Sequence, residues 1–375
     1  MSSAIVTGAT GILGQEIVKE LCSRPEEWST IYTMSRSKKD DFGHRVKHTH
    51  LDLTATAESM FDDLKGVEAD YVFFAAYLQK DTDEENTRVN GDMLSAFCKA
   101  LELRGAASKI KRFVLVTGAK NYGVHLGRVK IPMQETDPRM PEPPYPPNFY
   151  YRQQDILYDF CKRNSVEWNV AFASEVIGYA QGNFMNLASA TAIYAVVSKE
   201  LGDDSFRWMA LEPGAANEGF NVANGDAESW MNLWPRVAKY FGLKVPADQF
   251  SRDAPLASEK ALVSQPPMSV VAKDIGLEGR TPQSYIRQRV DLVKWSQTQE
   301  VKDAWKRVAD REDLDSEALS KASWAFAGFA WGRDYNNILS MSKSRKLGWT
   351  GYLDTLENFE SIFNTLEDKK VIPKY

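Results

Sequence analysis

The chain holds 375 residues, 43% hydrophobic and 26% charged, enough to bury a core without disulfide or metal support. A formal charge of −5 argues against a basic nucleic-acid-binding surface. Three scattered cysteines, Cys22, Cys98 and Cys161, fit a reducing compartment rather than a disulfide framework, and four histidines in no zinc-like spacing give no support to a structural metal.

Met1-Ser2-Ser3 leads straight into Ala4-Ile5-Val6-Thr7-Gly8, without the basic start and apolar stretch of a secretory leader. No run approaches about 18 consecutive apolar residues. The expectation is a soluble cytoplasmic protein with neither membrane nor nucleic-acid partner.

Along the chain, residues 4–7, 30–34, 47–51, 71–75, 112–117 and 166–172 read as buried strands, short and apolar. Between them Leu13, Ile17 and Leu21, then Val89, Met93 and Phe97, fall four apart and lay an apolar stripe on one helix face. This alternation predicts an α/β fold, a Rossmann-type doubly wound parallel sheet. Residues 131–147 are proline-rich and predict an irregular segment, either a surface excursion or a wall over a site. Helical patterns over 228–241, 284–298 and 352–366 predict a smaller, mostly helical C-terminal substrate-binding unit. The expected division is 1–182 for dinucleotide binding and 183–375 for the helical unit, with 220–223 returning to the sheet. No linker separates the two, so one compact body is expected.

Thr7-Gly8-Ala9-Thr10-Gly11-Ile12-Leu13-Gly14 joins the first strand to the first helix. Gly8 permits a tight turn, Gly11 lets the backbone approach a pyrophosphate, and Gly14 lets the helix pack closely. The second strand ends in Ser35-Arg36-Ser37-Lys38-Lys39, where an NAD site usually carries an acid. A guanidinium and hydroxyls suit a 2′-phosphate instead, which favours NADPH. Asp52 ends the third strand, placed either to meet the adenine amine or to cap the next helix. Leu53, Ala75, Thr117 and Val176, at the ends of later strands, complete the expected cofactor lining.

Short-chain dehydrogenases usually carry Tyr-x-x-x-Lys on one helix. Here four on from Tyr150 is Gln154, and a lysine stands earlier, in Thr117-Gly118-Ala119-Lys120-Asn121-Tyr122. That segment, followed by Asn148-Phe149-Tyr150-Tyr151 and Asp155, resembles the progesterone 5β-reductase/iridoid synthase-like family of atypical extended short-chain dehydrogenases. Glu85-Asn86, Met185-Asn186-Leu187 and segments 218–226 and 340–344 extend the resemblance over nearly the whole chain. It implies NADPH-dependent reduction of the C=C bond of a small apolar α,β-unsaturated carbonyl compound, and a homodimer. It also implies Tyr150 as the catalytic tyrosine and Lys120 as its lysine, both also touching the cofactor. A phenol O–H aimed at the carbonyl oxygen would stabilise the developing enolate, and Lys120 would strengthen that donor and hold the nicotinamide ribose.

Two features depart from the usual pattern. Thr117-Gly118 replaces the serine after the fifth strand, and Phe172-Ala173-Ser174-Glu175 replaces Arg-Pro after the sixth. Glu175 reads either as an acid/base participant or as a hydrogen-bonding partner of serine or backbone groups. With Phe149 it joins the candidate substrate set, together with Tyr179, Phe184 and Met185, which read either as an apolar wall or as core packing. Trp208, Trp230, Trp234 and Trp324 read as core, and His48 with His50 as surface. The alternatives to an ene-reductase are a carbonyl reductase or epimerase-like dehydrogenase, and a nucleotide-sensing protein without turnover.

Overall fold

A computed structural model describes residues 1–36, 42–183, 185–201, 218–226, 228–245 and 256–375. The expectations for Ser37, Phe184 and Trp208, and for the side chain of Trp230, fall outside them.

Seven parallel strands form the central sheet in the order β3-β2-β1-β4-β5-β6-β7. They are β1 (Ser2–Thr7), β2 (Trp28–Ser35), β3 (Val46–His50), β4 (Tyr71–Phe74), β5 (Arg112–Gly118), β6 (Glu167–Ala173) and β7 (Gly219–Val222). In β1 the side chains alternate between two cores. Ile5 joins Val72, Phe74, Phe97, Phe113 and Phe160 on one face. Ala4 and Val6 join Val18, Leu21 and Ile31 on the other. Both faces are dry because helices cover both, α1 (Gly14–Ser23) on the second and α3 (Asp83–Leu103) with α4 (Phe149–Asn164) on the first. Thr82 caps α3 by accepting from Glu85 N–H at 3.1 Å, and three acids in the first turn suit its positive end.

The helical unit gathers around α5 (Leu187–Glu200), whose residues from Leu187 to Ser198 are all buried. An apolar cylinder of this kind needs neighbours on every side. Trp234 and Trp324 are buried in the same core. The expected helix over 284–298 is corrected. Tyr285–Gln288 is a strand, β9, paired antiparallel with β8 (Ser258–Ala261), and only Leu292–Gln297 is helical. Asp291 accepts from Lys294 N–H at 3.2 Å and starts that helix, so the chain changes state at the cap.

The proline-rich segment is irregular and firmly held. Asn221 of β7, fully buried, donates to Met133 O at 3.0 Å and Ser340 O at 3.1 Å and accepts from the Tyr122 hydroxyl at 2.6 Å. Tyr145 Oη donates to Pro266 O at 3.1 Å. Among the described residues no helix is long and apolar enough to cross a membrane, and no cluster of His, Cys, Asp or Glu is arranged to hold a metal.

Candidate active site

The end of β1 forms a cradle made of backbone. Gly8 has φ +65°, and a Cβ there would lie 2.7 Å from Ala75 O. A Cβ on Gly14 would lie 2.1 Å from Gly8 O, and Gly11 N–H donates to Gly8 O at 2.8 Å. The residue before α1, Leu13, offers no side-chain cap, while Gln15 N–H already donates to Gly11 O at 3.1 Å. Ile12 is buried against Ala173, Val176 and Ala180, which seats the chain after β6 beside the loop. Thr7 Oγ1 is buried and has no hydrogen-bond partner among the described residues. Ala75 N–H bonds Thr7 O at 3.3 Å, and Thr10 is half-buried at the rim. Glycines packed too closely against backbone for a Cβ, at a helix start without a side-chain cap, fit a turn that holds a dinucleotide pyrophosphate.

At the outer end of the cradle, Arg36 is exposed directly after Ser35. Asp52 Oδ1 accepts from Thr54 N at 2.9 Å and Thr54 Oγ1 at 2.7 Å, and these bonds, aided by the Arg36 charge, hold its carboxyl below the usual range. Asp52 therefore closes a turn. The following helix, α2 (Ala57–Asp63), is capped by Thr56 instead. Leu53 is half-buried against the sheet core.

At the end of β5, a Cβ on Gly118 would lie 3.0 Å from Tyr150 Oη and 3.2 Å from Ala173 O. The phenol thus occupies the space a serine side chain would take, which accounts for the glycine. Thr117 Oγ1 is spent on Ala171 O at 3.0 Å. Lys120 lies on the single helical turn Ala119–Tyr122, with Nζ 5.9 Å from the Phe149 ring centre. Phe149 packs on Tyr150 at 4.1 Å and stacks on Tyr77 at 5.1 Å, between ring centres. Burial pushes the Tyr150 phenol well above its ordinary range and pulls the Lys120 ammonium below its own, partly opposed by Asp83.

The two neighbouring tyrosines differ in their hydroxyls. Tyr151 Oη donates to Asn121 O at 2.6 Å and accepts from Met140 N–H at 2.9 Å. Tyr150 Oη makes no hydrogen bond among the described residues and is free for a ligand. Asn148 caps α4, accepting from Tyr150 N–H at 3.1 Å and donating to Lys120 O at 2.7 Å. His125 is held neutral, its imidazole pushed down to about 3 by burial and the Lys120 charge, with Nδ1 buried and unpartnered among the described residues.

The remaining candidates have other partners. Glu175 and Arg333 form a bidentate ion pair with side chains 10% and 7% exposed, and Asn337 donates to Glu175 at 3.3 Å. Burial works against the Arg333 charge, and the carboxylate outweighs it. Glu175 is thus paired with a guanidinium and a side-chain amide, in place of the serine or backbone groups expected of a hydrogen-bonding partner. Tyr179 packs on the helical core, with Lys369 Nζ 5.9 Å from its ring centre, and its carbonyl accepts from Gln15. Met185 is half-buried in the turn before α5, its N–H on Asn183 Oδ1 at 2.8 Å. Sequence reasoning missed Tyr77, Asp83, Asn148 and His125. Tyr77 and Asn148 carried signals, a position just past a strand end and an N-cap type; a lone histidine carried none. A cavity of about 820 Å³ opens in the helical unit beside Trp305, Leu319, Trp324 and Phe326, and no neighbour of Tyr150 lines it.

A parallel sheet with a glycine cradle after its first strand, and a free phenol set over β5 and β6, defines a nicotinamide-dependent oxidoreductase of the short-chain dehydrogenase type. Residues 43–207 match the PRISE-like Rossmann-fold domain, and 6–72 match the family described as male sterility protein. The chain is 39% identical to an uncharacterized protein of Schizosaccharomyces pombe, over 99% of this chain and 98% of that one. It is 29% identical to a short chain dehydrogenase of Penicillium aethiopicum, over 99% of each. It is 23% identical to the 3-oxo-Delta(4,5)-steroid 5-beta-reductase of Arabidopsis thaliana, over 99% of this chain and 93% of that one. Among solved structures, the Bordetella bronchiseptica enzyme WbmG in complex with NAD and UDP shares the fold, with TM-score 0.56, 14% identity, and coverage of 100% of this chain and 97% of that one. The chain belongs to the PRISE-like Rossmann-fold family.

Proposed function

We propose that the protein is an NADPH-dependent reductase of the C=C bond of small, apolar α,β-unsaturated carbonyl compounds. The observation that carries the reading is the unpartnered Tyr150 hydroxyl, seated against Gly118 and beside the aromatic wall of Phe149 and Tyr77. When bound, the reduced nicotinamide supplies the hydride that adds to the β-carbon of the enone.

Thr7, Gly8, Thr10, Gly11 and Ile12 would hold the pyrophosphate, with Ala75, Thr117 and Val176 lining the inner part of the site. Arg36, with Ser35, would take the 2′-phosphate. Tyr150 would donate its O–H to the substrate carbonyl oxygen. Because burial holds that phenol above its ordinary range, it keeps its proton and stabilises the enolate by hydrogen bonding. The enolate then takes a proton from water at the α-carbon. Lys120 supplies a positive charge beside the developing negative one. The Thr117 hydroxyl is spent on Ala171 O and Gly118 has no side chain, so the end of β5 offers no hydroxyl donor where short-chain dehydrogenases usually carry a serine. The relative named as a steroid 5-beta-reductase supports the same reaction class.

The test is NADPH absorbance with enals, enones and saturated aldehydes, repeated with NADH. Consumption with enones alone, faster with NADPH, supports the reading. Equal or greater consumption with saturated aldehydes overturns it.

A further inference from the structure

When tyrosine and lysine share a helix as Tyr-x-x-x-Lys, one helical turn fixes their separation. In this chain they come from different elements, α4 and the turn after β5, so something other than a helix must set their distance. We infer that Asn148 is the positioning residue that performs this task. It joins the backbones of the two site residues across the gap, and the inference rests on the roles proposed for Tyr150 and Lys120.

The geometry is specific to this side chain. Asn148 Oδ1 accepts from Tyr150 N–H at 3.1 Å while Nδ2 donates to Lys120 O at 2.7 Å, 28 residues away in sequence. Lys120 O also accepts from Gly123 N–H at 2.9 Å, so the same carbonyl closes the lysine's own turn. An amide is the side chain that offers a donor and an acceptor in one short plane. Two further ties hold the turn to α4, Tyr151 Oη to Asn121 O at 2.6 Å and Gln154 Nε2 to Asn121 Oδ1 at 2.9 Å. Both act one residue beyond Lys120. They keep the elements docked without fixing the lysine itself, so the fold survives loss of the Asn148 bond.

Asn148→Ser separates the two halves of the role. A serine hydroxyl still caps the helix as well as asparagine does but is too short to reach Lys120 O. Asn148→Ala removes both bonds. The measurements are melting temperature, amide hydrogen exchange over 119–124 and 149–155, and kcat and KM with NADPH and an enone the wild type reduces. For Asn148→Ser we expect a melting point within about 2 °C of wild type. Exchange should quicken over 119–124 but not 149–155. Displacing one reacting group should lower kcat by about tenfold or more, with KM changed by less than about threefold. Asn148→Ala should add a lower melting point and faster exchange at the start of α4. Wild-type kcat in Asn148→Ser, with or without faster exchange, overturns the positioning role, because the residue is then a cap alone. If the wild type reduces no enone, the proposed reaction fails by itself. Exchange then decides the tether: unchanged exchange over 119–124 in Asn148→Ser contradicts it, and faster exchange confined there supports it.

Discussion

Two strand ends, with β4 between them, make this site, and they are built in opposite ways. After β1 the cradle is local: Gly8, Gly11 and Gly14 shape it within one turn of chain, using backbone alone. After β5 the site is assembled from a distance. Lys120 comes from a turn, Tyr150 from a helix beginning beyond the proline-rich segment, and side-chain amides fasten the two. The first end works through what its residues lack, the second through bonds its residues make. The local end should therefore be vulnerable to added atoms and the assembled end to lost ones.

The sharpest contrast lies within the tyrosine pair. Tyr150→Phe should lower turnover by about 10²–10³, or about 2.7–4 kcal/mol, with little change in melting point. Tyr151→Phe strands Asn121 O and Met140 N–H, so it should cost about 1–3 kcal/mol of stability and far less turnover. Kinetics and thermal melts of both variants read this, and a reversal would exchange their roles. At the local end, Gly14→Ala places a methyl 2.1 Å from Gly8 O and should cost about 3 kcal/mol, with dinucleotide binding lost in a fluorescence titration. Unaltered binding would mean the cradle relaxes freely. Arg36→Ala should weaken NADPH by about one to two decades and leave NADH nearly unchanged, as read by the same titration. Equal losses would remove Arg36 from the phosphate.

The smallest effect is on pH dependence. Burial lowers Lys120 from its ordinary 10.5 and raises Tyr150 from 10.0, so on raising the pH the lysine loses its charge before the phenol loses its proton. With the role proposed for Lys120, activity should fall as pH climbs through the lowered lysine value. Lys120→Arg should move that fall to higher pH, since a guanidinium stays charged. An unmoved alkaline limb in a pH–rate profile would assign it to another group.

What was legible in the sequence follows the same division. The strands of the sheet and the glycine loop are patterns of neighbouring residues, and each could be read in place. The swap of helix for strand at Tyr285–Gln288 was not legible, because the pairing with Ser258–Ala261 lies outside any local window. Glu175 stayed open between an acid/base participant and a hydrogen-bonding partner because Arg333 stands 158 residues away. Tyr150 and Lys120 were proposed through resemblance, whereas the bonds that join their elements were not foreseen, since Asn148 reads equally as an ordinary helix cap. Even the missing serine at Gly118 became intelligible only with the phenol lying 3.0 Å from where its side chain would begin.

In the proposed reaction Tyr150 holds the carbonyl oxygen while hydride adds to the β-carbon and not to the carbonyl carbon. This is tested by a turnover with NADPH deuterated at the transferable position of the nicotinamide and an enone, followed by mass spectrometry and NMR of the product. The expected product is a saturated carbonyl compound with deuterium on the former β-carbon, its yield collapsing in Tyr150→Phe. Deuterium on the carbinol carbon of an allylic alcohol would contradict it.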